Sequence, residues 1–201
     1  MAKIVLPGDM ISDKPLSIQN TIIEGGKTYA TVMGLVDEAK GSFIPFESVW
    51  HPKMDDQVVG VVETERNGVS IVDLNSPFKG LLILKHSTLE LRVGDIIEAI
   101  VMAVKRESER VMIMLARPKR LYGGRLLFVN VAKVPRIIGR ESTMITQLIR
   151  GTKSNIQVGM NGVIWLKDGN VELAVTAINK IQEEAHTSGL TEQIAKLLGA
   201  K

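Results

Sequence analysis

The chain has 201 residues, 45% of them apolar and 23% charged, which suits two or three small domains with real cores and excludes a disordered or collagen-like polymer. It has no cysteine, so disulfide frameworks, thiol catalysis and thiolate zinc sites are ruled out, and its three histidines, His51, His86 and His186, form no zinc-binding spacing. No apolar run approaches the roughly 18 residues of a membrane span, and residues 1–7 lack the apolar core of a secretory signal, so a cytoplasmic protein is expected.

The net charge of +3 hides a strong asymmetry. Residues 1–104 hold nine Lys/Arg against fourteen Asp/Glu, residues 105–153 twelve against three, and residues 154–201 four against five. Cations crowded into the middle repel one another unless a polyanion neutralises them, which makes RNA, DNA or an acidic protein face the natural partner.

Residues 1–52 read as a β domain, in short apolar runs broken by Leu6-Pro7-Gly8-Asp9, Glu24-Gly25-Gly26-Lys27 and Glu38-Ala39-Lys40-Gly41. Residues 29–36 and 42–46 flank the last of these turns as a hairpin. No chemistry assembles here, so the segment is expected to dock or pack. Residues 53–115 carry five strand-like stretches, 58–65, 68–74, 80–84, 96–104 and 111–115, with Arg66-Asn67-Gly68 as a tight turn and a longer connection over 85–95. Five short strands with that spacing predict an OB barrel.

Residues 116–124, Ala-Arg-Pro-Lys-Arg-Leu-Tyr-Gly-Gly, read as a basic linker. Residues 125–190 then give strand 125–133, a helical turn ending at Gly139, helix 142–150, strands 154–158 and 163–166, and helix 170–187, an order of βααββα. In the last helix Val171, Ala174, Val175, Ile178 and Ile181 share one face and predict core. Asn161-Gly162 between the two later strands reads as a hairpin turn with positive φ at both positions. Residues 191–201 look like an amphipathic tail.

The fullest chemical signal is Val134-Pro135-Arg136-Ile137-Ile138-Gly139-Arg140-Glu141-Ser142-Thr143-Met144-Ile145, set between two helical elements. It resembles the nucleic-acid-binding loop of KH domains, where a Gly-x-x-Gly turn brings backbone and a helix N-terminus close to single-stranded phosphates. Gly139 matches the first glycine, and Ser142 stands at the second, where it is expected to cap the following helix. Arg136 and Arg140 supply positive charge. A second Gly-x-x-Gly, residues 159–162, lies between strands, and hairpin geometry accounts for it.

Around the barrel Phe78 is the one aromatic platform, with Lys79, Lys85, His86, Lys105, Arg106 and Arg110 as cations and Arg117, Lys119 and Arg120 in the linker. Contacts dominated by phosphate predict weak sequence preference and strong salt dependence; about 4 to 6 neutralised phosphates correspond to a log–log slope of roughly −3 to −4. No P-loop, nucleophile elbow, dinucleotide fingerprint or metal-binding carboxylate set appears, and Asp55-Asp56 reads as a turn, so neither catalysis nor a cofactor or metal is expected.

The second segment resembles the OB domain first recognised in ribosomal protein S-one, through Val58-x-Gly60-x-Val62, Val72-Asp73-Leu74 and Val93-Gly94-Asp95-Ile96. A β domain, this barrel and a type I KH domain, in that order, resemble the KH-containing RNA-binding cap subunits of the archaeal exosome, the RNA-processing protein four family. Pro7-Gly8-Asp9, Glu24-Gly25-Gly26-Lys27-Thr28-Tyr29, Asp73-Leu74-Asn75-Ser76-Pro77-Phe78 and Gly159-x-Asn161-Gly162-x-Ile164-Trp165 add to the resemblance. It implies a noncatalytic subunit that captures single-stranded RNA and guides its 3′ end into a hexameric ring of RNase PH-like proteins. Three copies would sit on the ring, docked by their N-terminal domains. The alternative is a scaffold that holds such a complex together with little RNA affinity of its own.

Overall fold

A computed structural model describes residues 2–18, 20–37, 42–84, 89–107, 110–185 and 189–199. The chain divides into two compact units, residues 1–49 with 130–132, and residues 50–129 with 133–201.

The first unit is built from β1 (Ala2–Val5), β2 (Met10–Ser12), β3 (Thr21–Glu24), β4 (Lys27–Ala30), β5 (Gly34–Asp37) and β6 (Ser42–Pro45). They form two antiparallel sheets of order β1-β5-β6 and β2-β4-β3. Gly25 and Gly26, at φ +57° and +77°, close the β3–β4 hairpin with the left-handed pair that matches strand twist. The run expected as one strand over 29–36 breaks at residues 31–33, because β4 and β5 belong to different sheets. The β5–β6 pairing is the expected hairpin, with Val36 opposite Phe43; its turn, residues 38–41, lies outside the described residues. Val5, Ala30, Val36 and Phe43 make a small core. The opposite face of the first sheet carries a cross-strand row of Ile4, Leu35 and Ile44.

In the second unit β7 (Gln57–Arg66), β8 (Val69–Asp73), β9 (Lys79–Ile83), β10 (Ile96–Glu107) and β11 (Arg110–Leu121) close into a five-stranded, OB-like barrel of order β10-β11-β9-β8-β7. β10 pairs back onto β7, and β9 runs parallel to β11. Val62, Val72, Leu82, Val101 and Ile113 are fully buried, each contributing about 1.5 to 3 kcal/mol of transfer free energy. Asp56 accepts from Trp50 Nε1 and from Lys53 N, both at 3.0 Å, so the adjacent acids sit in a structural turn.

Residues 116–121 are no linker; they continue β11, with Lys119 opposite Glu98 and Leu121 opposite Ile96. Pro118 is a linker-type residue inside a strand. It sits in a bulge where Arg117 and Pro118 face the single residue Ala99, so no ladder N–H is demanded of it.

Beyond the barrel come β12 (Arg125–Phe128), a 3₁₀ turn over Val131–Lys133, α1 (Val134–Ile138), a second 3₁₀ turn over Arg140–Ser142, α2 (Thr143–Thr152), β13 (Asn155–Val158), β14 (Val163–Lys167), α3 (Val171–Glu183) and α4 (Leu190–Leu197). The sheet order is β12-β14-β13. The strand expected over 125–133 ends at Phe128, because Asn130 turns the chain by accepting the Ala132 N–H at 2.9 Å. Asn170 caps α3 by accepting the Leu173 N–H at 3.0 Å. The helices cover the sheet through Val134, Ile137, Leu148, Ile164, Ile178 and Ile181. The expected tail is part of this core: α4 buries Leu190 and Ile194 completely, its apolar face finding its partner within the chain.

Barrel and βααββα layer share a seam. Val163, Trp165 and Leu126 pack on Val59, Ile96 and Leu121. At its centre Asn161, 1% exposed, donates from Nδ2 to the carbonyls of Val59 at 2.8 Å and Leu74 at 2.9 Å, while its Oδ1 accepts the Val59 N–H. β8 pairs no further along β7 than Val61. The Asn161 amide therefore acts as one more rung on the open edge of β7, and Met160 N adds a bond to Gln57 O at 2.8 Å. The expected two-glycine-type hairpin is corrected accordingly: only Gly162 has positive φ, and Asn161 is turned into the barrel. Gly159 is glycine because a Cβ there would strike Asn161 Oδ1 and lie 2.7 Å from Val59 N.

Candidate nucleic-acid interface

Gly139 ends α1 at φ +77°, its N–H donating to Pro135 O at 2.9 Å. A Cβ at this position would stand 2.7 Å from both Met144 Cβ and Met144 N, so glycine is required for α2 to start directly against the turn. Glu141 and Ser142 follow at φ +51° and +59°, both left-handed. The second position of the motif thus keeps a glycine-type backbone although serine occupies it. The expected capping role of Ser142 is not found. A capping residue needs extended backbone angles, and the left-handed Ser142 gives α2 no side-chain hydrogen bond. Thr143 Oγ1 instead donates to Arg140 O at 2.8 Å. The N-terminal end of the ten-residue α2, with its positive dipole end, carries no side-chain cap and opens beside the turn.

Arg140 is exposed. Arg136 is half-buried, its Nε atom buried without a hydrogen-bond partner among the described residues, an arrangement that an anion would relieve. Glu141 lines the groove between α2 and the end of α4, together with Arg150. The turn and the uncapped start of α2 thus adjoin in the chain, with Arg136 in α1 before them and Arg140 within the turn.

The barrel candidates divide. Phe78 lines a cleft of about 470 Å³ with Ile71, Pro77, Leu81 and Met112. Lys79 is spoken for: its Nζ bonds Glu63 at 3.1 Å and Asp73 at 3.2 Å, and the hydrogen bond to Glu63 chiefly raises its pKa above the ordinary lysine value. Arg120 pairs with Asp95 at 2.5 Å, and Lys119 lies 4.0 Å from Glu98. Lys105 and Arg117 are exposed, Arg117 at φ +52° on the bulge. In the backbone register at the β10–β11 end, Arg106 pairs with Val111 and Arg110 with Glu107. Lys85 and His86 lie outside the described residues. Sequence reasoning counted cations but missed their acidic partners, which lie 6 to 25 residues away and become neighbours only through strand pairing. It also passed over Tyr122, hidden in the supposed linker.

Comparison with known proteins bears on this interface. Over 99% of its length the chain is 34% identical to the exosome complex component Rrp4 of Pyrococcus furiosus, of which it covers 83%. The chain belongs to the Rrp4 family of exosome components. Rrp4 of Methanothermus fervidus is likewise 34% identical, with 97% of this chain and 94% of that protein aligned. The family model described as the exosome RNA binding protein RRP4 N-terminal domain matches residues 2–47. A crystal structure assigned to an exosome complex RNA-binding protein superposes with a TM-score of 0.64 at 31% identity, covering 76% of this chain and 96% of that one.

Within this Rrp4-family chain the left-handed serine makes a direct prediction. Ser142→Gly removes a Cβ from a backbone that disfavours it, and is expected to stabilise the protein by about 1 kcal/mol, raising Tm by roughly 2 to 4 °C in a thermal melt. An unchanged or lower Tm would contradict the turn geometry.

Proposed function

We propose that this chain is a noncatalytic RNA-binding cap subunit of an exosome, which captures single-stranded RNA and guides its 3′ end into a ribonuclease ring in the cytoplasm. The observation that carries the reading is the turn over residues 139–142. It keeps the glycine-type backbone of a phosphate-binding loop, ahead of a helix end without a side-chain cap and beside Arg136 and Arg140. Membership of the Rrp4 family over nearly the whole length supports it.

The βααββα layer is read as a type I KH fold, supported by its element order and by the turn lying between α1 and α2. The barrel is read as an OB domain of the ribosomal-protein-S-one type, with Phe78, Lys105 and Arg117 as its RNA contacts. Arg136, Gly139, Arg140 and Ser142 form the KH contribution. Because the barrel offers few unpaired cations among its described residues, the loop carries the larger share of phosphate binding.

The ring is read as a hexamer of RNase PH-like subunits bearing three copies of this chain. The first unit would dock on it through the row Ile4, Leu35 and Ile44, in which Ile4 is 59% and Ile44 54% exposed. Native mass measurement of the assembly purified from cells should give three copies per six ring subunits. Ile4→Asp with Ile44→Asp should abolish copurification of the ring and leave RNA binding by the lone chain intact. A wild-type assembly with no ring would overturn the reading, and full recovery with the double variant would overturn the docking face.

A scaffold role is the second reading, favoured by the pairing of Lys79, Lys119 and Arg120 with acids. It predicts RNA retention by the complex that is indifferent to Arg136 and Arg140.

A further inference from the structure

The turn that leaves the barrel, residues 122–124, carries an aromatic ring with unusual support. Tyr122 is 63% exposed, a large apolar surface to leave in water. The Arg120 guanidinium lies 5.0 Å from its ring centroid, within cation–π range. Arg120 is itself fixed by Asp95, which also accepts the Arg92 N–H at 2.7 Å. The turn is held from below: Trp165, buried in the seam, donates Nε1–H to Gly123 O at 2.7 Å. The ring thus stands on a pinned backbone, against a cation held in place.

Positive charge lies alongside. The Lys167 side chain runs past Gly123, its Nζ 4.0 Å from where a Cβ would stand. Lys167 and Arg125 line an open polar cleft of about 730 Å³ with Gly124, and Asp168 and Glu172 also line it. Asp168 accepts from Asn155 Nδ2 at 2.9 Å, while neither Lys167 nor Arg125 has an ion-pair partner among the described residues.

We infer that Tyr122, backed by Arg120, is a stacking platform for one unpaired base of an RNA strand, with Lys167 and Arg125 taking the adjoining phosphate. This rests on the RNA-binding reading above and adds to it a site at the junction of barrel and βααββα layer, separate from the 139–142 turn and from Phe78. An aromatic face accepts any base, and an arginine on such a ring adds to stacking, so the site reads no sequence.

The test uses the full chain and a fluorescently labelled oligouridylate, titrated at several salt concentrations. Tyr122→Ala should weaken binding roughly 5- to 100-fold with the salt slope unchanged, and Tyr122→Trp should restore it. Lys167→Ala should instead flatten the log–log slope by about 0.7. If the wild type binds and Tyr122→Ala binds equally well, the platform is wrong and the RNA-binding reading stands. If the wild type takes up no oligonucleotide at low salt, both fall.

Discussion

Reversing both loop arginines, Arg136→Glu with Arg140→Glu, is expected to weaken binding of a single-stranded oligoribonucleotide about 100-fold or more at low ionic strength. Each arginine lost removes a charge-assisted contact of roughly 1.5 to 3 kcal/mol, and each glutamate gained repels the strand. The two also account for part of the salt response, so the slope of log K against log salt should flatten by about 1.4. Filter binding at several salt concentrations reads both quantities, and size-exclusion chromatography with the ring reads assembly, which should be intact. Among the described residues neither arginine has an ion-pair partner and Arg136 Nε has no hydrogen-bond partner, so neither substitution dismantles a described ion pair. Unaltered affinity in the double variant would remove the loop from the RNA path and favour the scaffold.

Asn161→Ala is expected to be the most destabilising single truncation in the second unit. It strips partners from Val59 N–H, Val59 C=O and Leu74 C=O, all in residues buried completely. Taking the lower half of the roughly 1 to 3 kcal/mol range for each of the three buried groups left unmade, a loss of about 3 to 6 kcal/mol follows, or a fall in Tm of roughly 6 to 24 °C. Asn161→Asp separates this cause from simple loss of volume. It fills the same space but points a carboxylate at two carbonyl oxygens, so calorimetry should show it no more stable than the alanine variant. A shift of under a degree in either would mean the seam is held by Trp165 and its neighbours alone.

Much of the architecture was legible because it is written in local patterns. The period-two runs over 58–74 and the Asn67-Gly68 turn give the barrel strands, and the helical spacing of Ala174, Ile178 and Ile181 gives α3. What failed is non-local or depends on geometry no residue type announces. Pro118 looks like a linker residue unless a bulge excuses it, and nothing in the sequence announces a bulge. Residues 190–198 look like a short amphipathic tail, equally able to fray or to pack on a neighbour, until the groove they fill exists. Ser142 has the chemistry of a helix cap, but its backbone angles are dictated by the turn that Gly139 begins. The same holds for Asn161, a turn residue by type and a barrel rung by position.

The seam between barrel and βααββα layer has a consequence for how oligomer length matters. With Asn161 and Trp165 binding the two parts, the 139–142 turn and the barrel face stand at a set span, with no tether to stretch or slacken. If both patches bind RNA as proposed, a transcript too short to bridge that span would touch one patch at a time, and once it is long enough the second contact would form at high effective concentration. Affinity should therefore rise in a step at one particular nucleotide count, and the count would measure the span directly.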